Sequence, residues 1–155
     1  SPRRLRLARP ARPGHIPCGT IDPLGTMSVS THHDAQTEIT TIAVSSGYER
    51  PEYEHVLEAI FLTSDTRRIL ADHTAEGPVW EAEDLEGHLQ FLLRIRRLIP
   101  AGARVAILCA QVLDYGIARM MQMITESQLP CHTAIFLSRE EALRWLTEPV
   151  LDPVT

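Results

Sequence analysis

From Thr37 onward the hydrophobic and polar positions fall into two alternating rhythms. The segment 37–46, TEITTIAVSS, is rich in β-branched residues and ends at Gly47, which predicts a strand. Beyond it Tyr53, Val56, Leu57, Ile60 and Phe61 recur at spacings of three and four, the single buried stripe of a helix. Pro51 suits the first turn of that helix, where its missing N–H costs nothing, and Glu52 and Glu54 suit its positive end. RRILAD, 67–72, reads as a short strand followed by a loop through Gly77 and Pro78. A second helix is predicted over 81–100, with Leu85, Leu89, Leu92, Ile95 and Ile99 as its inner face. Acids crowd its start (Glu81, Glu83, Asp84, Glu86) and arginines its end (Arg94, Arg96, Arg97), complementing the macrodipole; Pro100 and Gly102 stop it.

RVAILCA, 104–110, is a nearly continuous apolar run, as expected of a strand buried on both faces of a parallel sheet. LDYGIARMMQMITE, 113–126, is a third helix with Asp114 as its N-cap, and CHTAIFL, 131–137, a further strand. SREEALRWL opens with Ser138 and Glu141 at capping-box spacing; Ala142, Leu143, Trp145 and Leu146 face inward, and Pro149 ends the helix. Four strand–helix repeats with short connections imply right-handed crossovers onto one sheet. The fold class is α/β, a small mostly parallel β-sheet with packed helices.

Composition changes this picture only at the ends. A chain of 155 residues holds one hydrophobic core, and the net charge of −5 is unevenly spread. Residues 1–26 carry five arginines against one acid, five prolines and no period, so the remainder carries −9. Such a segment does not repay the entropy of ordering, and MSVSTHHD from Met27 reads as a natural start. The expected organisation is a disordered extension over 1–36, one domain over 37–149 and a tail over 150–155. The acidic body excludes a basic nucleic-acid-binding face. All fifteen basic residues are arginine, a sign of a GC-rich, bacterial genome. Cys18, Cys109 and Cys131 form neither a disulfide framework nor a metal motif, and no apolar run is long enough to span a bilayer. A cytoplasmic protein is expected.

The third helix holds three methionines within four residues and one arginine, Arg119. Ile117, Met120, Met121 and Ile124 are predicted to form its core stripe, with methionine as adaptable filler and Met123 alone turned outward to a partner surface. The stretch 104–146 resembles the SpoIIAA-like family of STAS-type domains. Gly116, Arg119, Met120, Phe136, Glu141, Ala142, Trp145 and Leu146 match that family's pattern of a buried strand, a "-GlaRm-" helix, a strand ending in Phe and a "-eeAl-WL" helix. The resemblance spans roughly 40–148, more strongly in its second half, and implies a STAS/SpoIIAA-like sandwich. Better-known STAS relatives are anti-sigma-factor antagonists, switched by phosphorylation of a serine in an Asp-Ser-Ser-Gly turn. The counterpart here is Asp84-Leu85-Glu86-Gly87, without a hydroxyl, so no phosphate switch is expected at that turn.

Ligands of open α/β sheets gather beyond the carboxyl ends of the strands. Asp72, His73 and Thr74 fall there, with Gln111 and Asp114 after the next strand and Ser138 after the last. Asp72–His73 invites an acid/base reading, but neighbours on a strand point apart and no nucleophile is placed beside them. Cys131–His132 fails as a metal pair for the same reason, and His32, His33, His55 and His88 lack zinc-ligand spacing. Arg119 is expected to brace its helix against Glu126 or Asp114, or with Tyr115 to grip an anionic partner or lipid head group. The sequence thus predicts a non-enzymatic binding or regulatory module recognising a protein partner or a small apolar, lipid-like or anionic ligand. Asp72, His73, Thr74, Gln111, Asp114, Tyr115, Arg119 and Met123 are its candidate contacts; no catalytic residue, metal or cofactor is expected. The alternative is a self-associating structural domain, a homodimer through the 113–127 helix.

Overall fold

The computed structural model describes residues 28–75 and 81–149; the side chains of Ala82, Val112, Leu113, Asp114, Tyr115, Ile117 and Ala118 lie outside the description. Five strands form one sheet in sequential order: β1 (Val29–Asp34), β2 (Ile39–Ser45), β3 (Arg68–Ala75), β4 (Arg104–Leu108) and β5 (His132–Phe136). β1 runs antiparallel to β2, and the other three pairings are parallel. Between and after the parallel strands lie α1 (Arg50–Thr63), α2 (Ala82–Arg94), α3 (Val112–Glu126) and α4 (Arg139–Thr147), with a short 3-10 turn at Arg96–Leu98.

Strands laid down in one direction with right-handed crossovers place their connecting helices on one face. The core follows this rule. α1 and α2 bury Tyr53, Val56, Leu57, Ile60, Phe61, Phe91 and Ile95 with Ile42, Val44 and Ile69 of the sheet. α4, which follows the last strand, covers the other face with Ala142 and Leu146 against Ile39, Leu70, Ala106 and Leu108. Strand alternation separates the two sets: Ile69 joins the first cluster and its neighbour Leu70 the second.

Five sequence expectations need correction. Residues 29–34, assigned to a disordered extension, form β1, whose Val29 is fully buried. An edge strand with one inward apolar residue carries almost no hydrophobic signal. Its place is set by pairing with β2 and by a turn in which Asp34 accepts bonds from the Gln36 N–H and the Thr37 hydroxyl. Of the stripe expected over 81–100, Ile95 and Ile99 are buried, but within α2 the inner residues are His88 and Phe91 rather than Leu85, Leu89 and Leu92, which are half-buried. α2 itself ends at Arg94, and Ile99 is buried beyond the 3-10 turn. α3 starts at Val112 after Gln111, so Asp114 lies inside the helix rather than at its cap. Finally, among the described side chains of α3, Met121 and Thr125 are buried while Met120 and Ile124 are exposed; Ile117 of the expected stripe lies outside the described residues. Ser138 caps α4 as its spacing predicts, its side chain accepting the Glu141 N–H at 3.3 Å.

Candidate functional site

The carboxyl ends of β2 and β3 meet the start of α1 and the side of α2, and the most buried charge of the described residues collects there. Glu54 (8% exposed) and His88 (6%) face each other between the two helices. The Glu54 Oε2 accepts from His88 Nδ1 at 2.9 Å and from the Arg50 guanidinium at 2.9 Å, one turn earlier on α1. Arg50 also lies 3.7 Å from the Asp84 carboxylate of α2. Burial pushes the His88 pKa below its usual range, and the positive Arg50 nearby adds to this against the pull of Glu54. His88 is therefore neutral near pH 7 and presents Nδ1–H to the carboxylate. For Glu54 burial acts upward, but the bonds from His88 and Arg50 outweigh it and hold the carboxyl low.

Gly87 explains how the guanidinium fits. A Cβ at that position would sit 2.7–2.9 Å from three atoms of the Arg50 guanidinium. The Asp84-to-Gly87 turn at the start of α2 is therefore a seat for Arg50: Asp84 supplies charge, and Gly87 supplies room. Around this pair the rings of Tyr48, Tyr53 and His73 pack edge to face, with centroids 5.4–6.2 Å apart, and His88 stacks on Phe91 at 5.7 Å.

Asp72 and His73 are split by strand alternation, as their adjacency on β3 demands. His73 joins the aromatic group on the α1–α2 face. Asp72 turns to the α4 side, where Arg139 pairs with it and Thr74 donates its N–H at 3.0 Å and its hydroxyl at 2.6 Å. Burial acts to raise the Asp72 pKa, but the Thr74 and Arg139 bonds leave it lowered. The structure thus brings Asp72 and Thr74 together and holds both in a loop-bracing cluster. Gln111 is exposed at the start of α3 with no side-chain cap bond. The side chains of Asp114 and Tyr115 lie outside the described residues.

Arg119 is exposed and bonds the Gln122 side-chain oxygen at 3.1 Å, and Gln122 in turn donates to Glu126 at 3.0 Å. The expected direct brace to Glu126 is thus relayed by an amide, because positions 119 and 126 are two turns apart. Beside this polar row stand Met120 (54% exposed), Met123 (70%) and Ile124 (37%). Met123 does not face outward alone, as the pattern predicts; among the described side chains of α3, Met120 and Ile124 share its exposure.

At the far end of α2 another feature appears. Gln90, Leu93, Arg94, Arg96 and Arg97 line an open groove of about 470 Å³. The sequence pattern accounts for these arginines through the helix dipole alone. Among the described residues no group of three metal-ligating side chains comes together, and no helix is long and apolar enough to cross a membrane. Cys109 and Cys131 are buried, whereas His132, next to Cys131, is exposed.

No family model matches the sequence, and no curated protein matches it. A solved structure does: the crystal structure, at 2.25 Å, of an uncharacterized protein of the DUF3478 family with a SpoIIAA-like fold, from Shewanella loihica PV-4. The match covers 76% of this chain and 91% of that one, with a TM-score of 0.52 and 17% identity. The fold is SpoIIAA-like. This agrees with the resemblance carried by Gly116, Arg119, Phe136 and Trp145, and at 17% identity it speaks to architecture alone. Within the SpoIIAA-like fold of this chain, the Asp84–Gly87 turn seats an arginine.

Arg50, Glu54, His88 and Arg139 are absent from the candidates that the sequence supplies. Arg50 and Glu54 carry a usable signal, since opposite charges four apart on a helix pair readily. His88 carries none, because its partner lies 34 residues away in sequence.

Proposed function

We propose that this chain is a non-enzymatic binding module that recognises a protein partner through the exposed flank of α3. The observation that carries this reading is the solvent exposure of Met120, Met123 and Ile124 side by side on one helix. Exposed apolar patches on soluble proteins mark interaction sites, and methionine adapts its shape to a partner at little cost. The rim supports the non-enzymatic half of the reading. Asp72 is held by Thr74 and Arg139, and Glu54 by Arg50 and His88, so each carboxylate already serves a bond within the fold.

A photo-activated cross-linker placed at Met123 tests this. A discrete adduct should form from that position and not from Arg144, an exposed residue of α4 on the opposite face. Equal labelling from both positions, or none from either, rejects the reading.

The arginine groove favours a second reading, a small anionic ligand. Arg94, Arg96 and Arg97 exceed what a helix C-terminus of about half a charge needs for compensation. Amide shifts around Leu93 on titration with inorganic phosphate, absent in Arg94→Ala/Arg97→Ala, would support it; shifts unchanged in that variant would remove it.

A further inference from the structure

We infer that the flank of α3 binds a second copy of this chain, packed antiparallel, with Arg119 of each protomer paired to Glu126 of the other; this rests on the reading of α3 as the recognition face. Two rows on the helix lead to it. The apolar row is Met120, Met123 and Ile124, and the polar row beside it is Arg119, Gln122 and Glu126. Opposite charges stand at the two ends of the polar row, seven residues apart, with a neutral amide between them.

A two-fold axis perpendicular to an antiparallel helix pair lays each flank against the same flank of the other copy, with its direction reversed. Reversal places position 119 beside position 126 when the axis passes between Gln122 and Met123. The apolar row has its own middle within about half a residue of that place, at the level of Gln122. One register therefore packs the methionines on each other and matches both charged pairs, leaving the two Gln122 amides near the axis. The parallel alternative turns each polar row to the other copy's apolar row, so neither charge meets its complement. Charge complementarity thus selects both the occupant and its direction.

Topology leaves the place open. α3 is the last crossover helix of its layer, so among the described elements only one of its flanks has a helical neighbour. Three side chains supply only part of the ~800 Å² per partner of a standard interface, so the dimer is weak, with a Kd on the order of 100 μM.

The test is sedimentation velocity of the full chain from roughly 10 μM to 1 mM, a range that brackets such a Kd. The wild type should shift from monomer to dimer with concentration. Arg119→Glu alone and Glu126→Arg alone should each weaken association at least about tenfold, since like charges then meet twice across the axis. Mixed in equal amounts, the two variants should form a heterodimer, because both acids of the first then face both arginines of the second across the axis. Both positions are exposed, and unchanged thermal melts will show that the variants fold. A wild type that stays monomeric at 1 mM overturns the inference, as do variants that associate like wild type or fail to associate on mixing. A monomeric chain that still gives a heterologous adduct from position 123 overturns the dimer and leaves the partner-binding reading intact; loss of both removes that reading as well.

Discussion

The Glu54–His88 corner and the flank of α3 belong to the same helical layer, yet each reverses the usual division between inside and outside. In the first, charged and titratable groups go inward; in the second, methionine and isoleucine stay in water. Supply of partners accounts for the difference. Glu54 enters the interior because α1 itself brings Arg50 one turn earlier and α2 brings the His88 N–H, so the desolvated carboxylate is matched. Met120, Met123 and Ile124 remain outside because α3 closes the layer and, among the described elements, has a helix on one side only. A buried carboxylate held by two donors is a structural lock. The exposed apolar flank is the surface on which the proposed recognition rests.

The lock should fail first and most heavily. Glu54→Ala leaves His88 Nδ1–H and the Arg50 guanidinium without their acceptor, and should cost about 3 kcal/mol in denaturant unfolding. A loss under about 1 kcal/mol would place Glu54 among ordinary surface acids.

Acid should loosen the same corner by a route of known sign. The folded-state pKa of His88 is lowered, so below about pH 6.5 the unfolded chain takes up a proton that the folded chain resists. Stability conferred by neutral His88 is full above that pH and falls as the pH drops through it. Glu54 and Asp72, also lowered, add a second loss below about pH 4.5. Melting temperatures of wild type and His88→Gln between pH 7.5 and 5.5 will separate the two stages. The wild type should lose more over this interval, and parallel curves would contradict the assignment.

Much of the fold was legible because local pattern and tertiary demand agree. Tyr53, Val56, Leu57, Ile60 and Phe61 repeat at helical spacing, and all five are buried. RVAIL reads as a strand of a parallel sheet and has parallel neighbours on both sides, though only its Ala106–Leu108 face is buried and Val105 and Ile107 on the other are half-buried. Where the two demands diverge, the sequence misled. Leu85, Leu89 and Leu92 form as good a stripe as His88, Phe91 and Ile95, and the choice between them depends on Glu54, which belongs to another helix. β1 owes its place to a neighbour's edge rather than to its own residues. In α3 the apolar positions encircle too much of the helix for periodicity to say which flank faces the sheet; burial of Met121 and Thr125 decides it. Met123 and Arg119 could be named from the sequence as surface residues and are exposed, whereas His88 was invisible, for the same reason: local chemistry marks a surface, but a buried pair needs both partners.

A smaller effect sharpens the account of Gly87. Glycine to alanine within a helix ordinarily gains about 1 kcal/mol. Here the added Cβ displaces the Arg50 guanidinium, so Gly87→Ala should show no gain in a wild-type background and about the full 1 kcal/mol in an Arg50→Ala background. Equal effects in both backgrounds would separate Gly87 from Arg50. The smallest change in stability belongs to Met123→Lys, within about 0.5 kcal/mol of wild type, because the side chain is exposed and lysine suits a helix.

The contrast between lock and flank is tested most directly by sedimentation of Met123→Lys and His88→Gln up to about 1 mM, each at a temperature well below its own melt. The account predicts that His88→Gln self-associates like wild type despite its lower stability, whereas Met123→Lys stays monomeric with its stability intact. Association kept by Met123→Lys and lost by His88→Gln would contradict it, and would move recognition to the rim where β2 and β3 end.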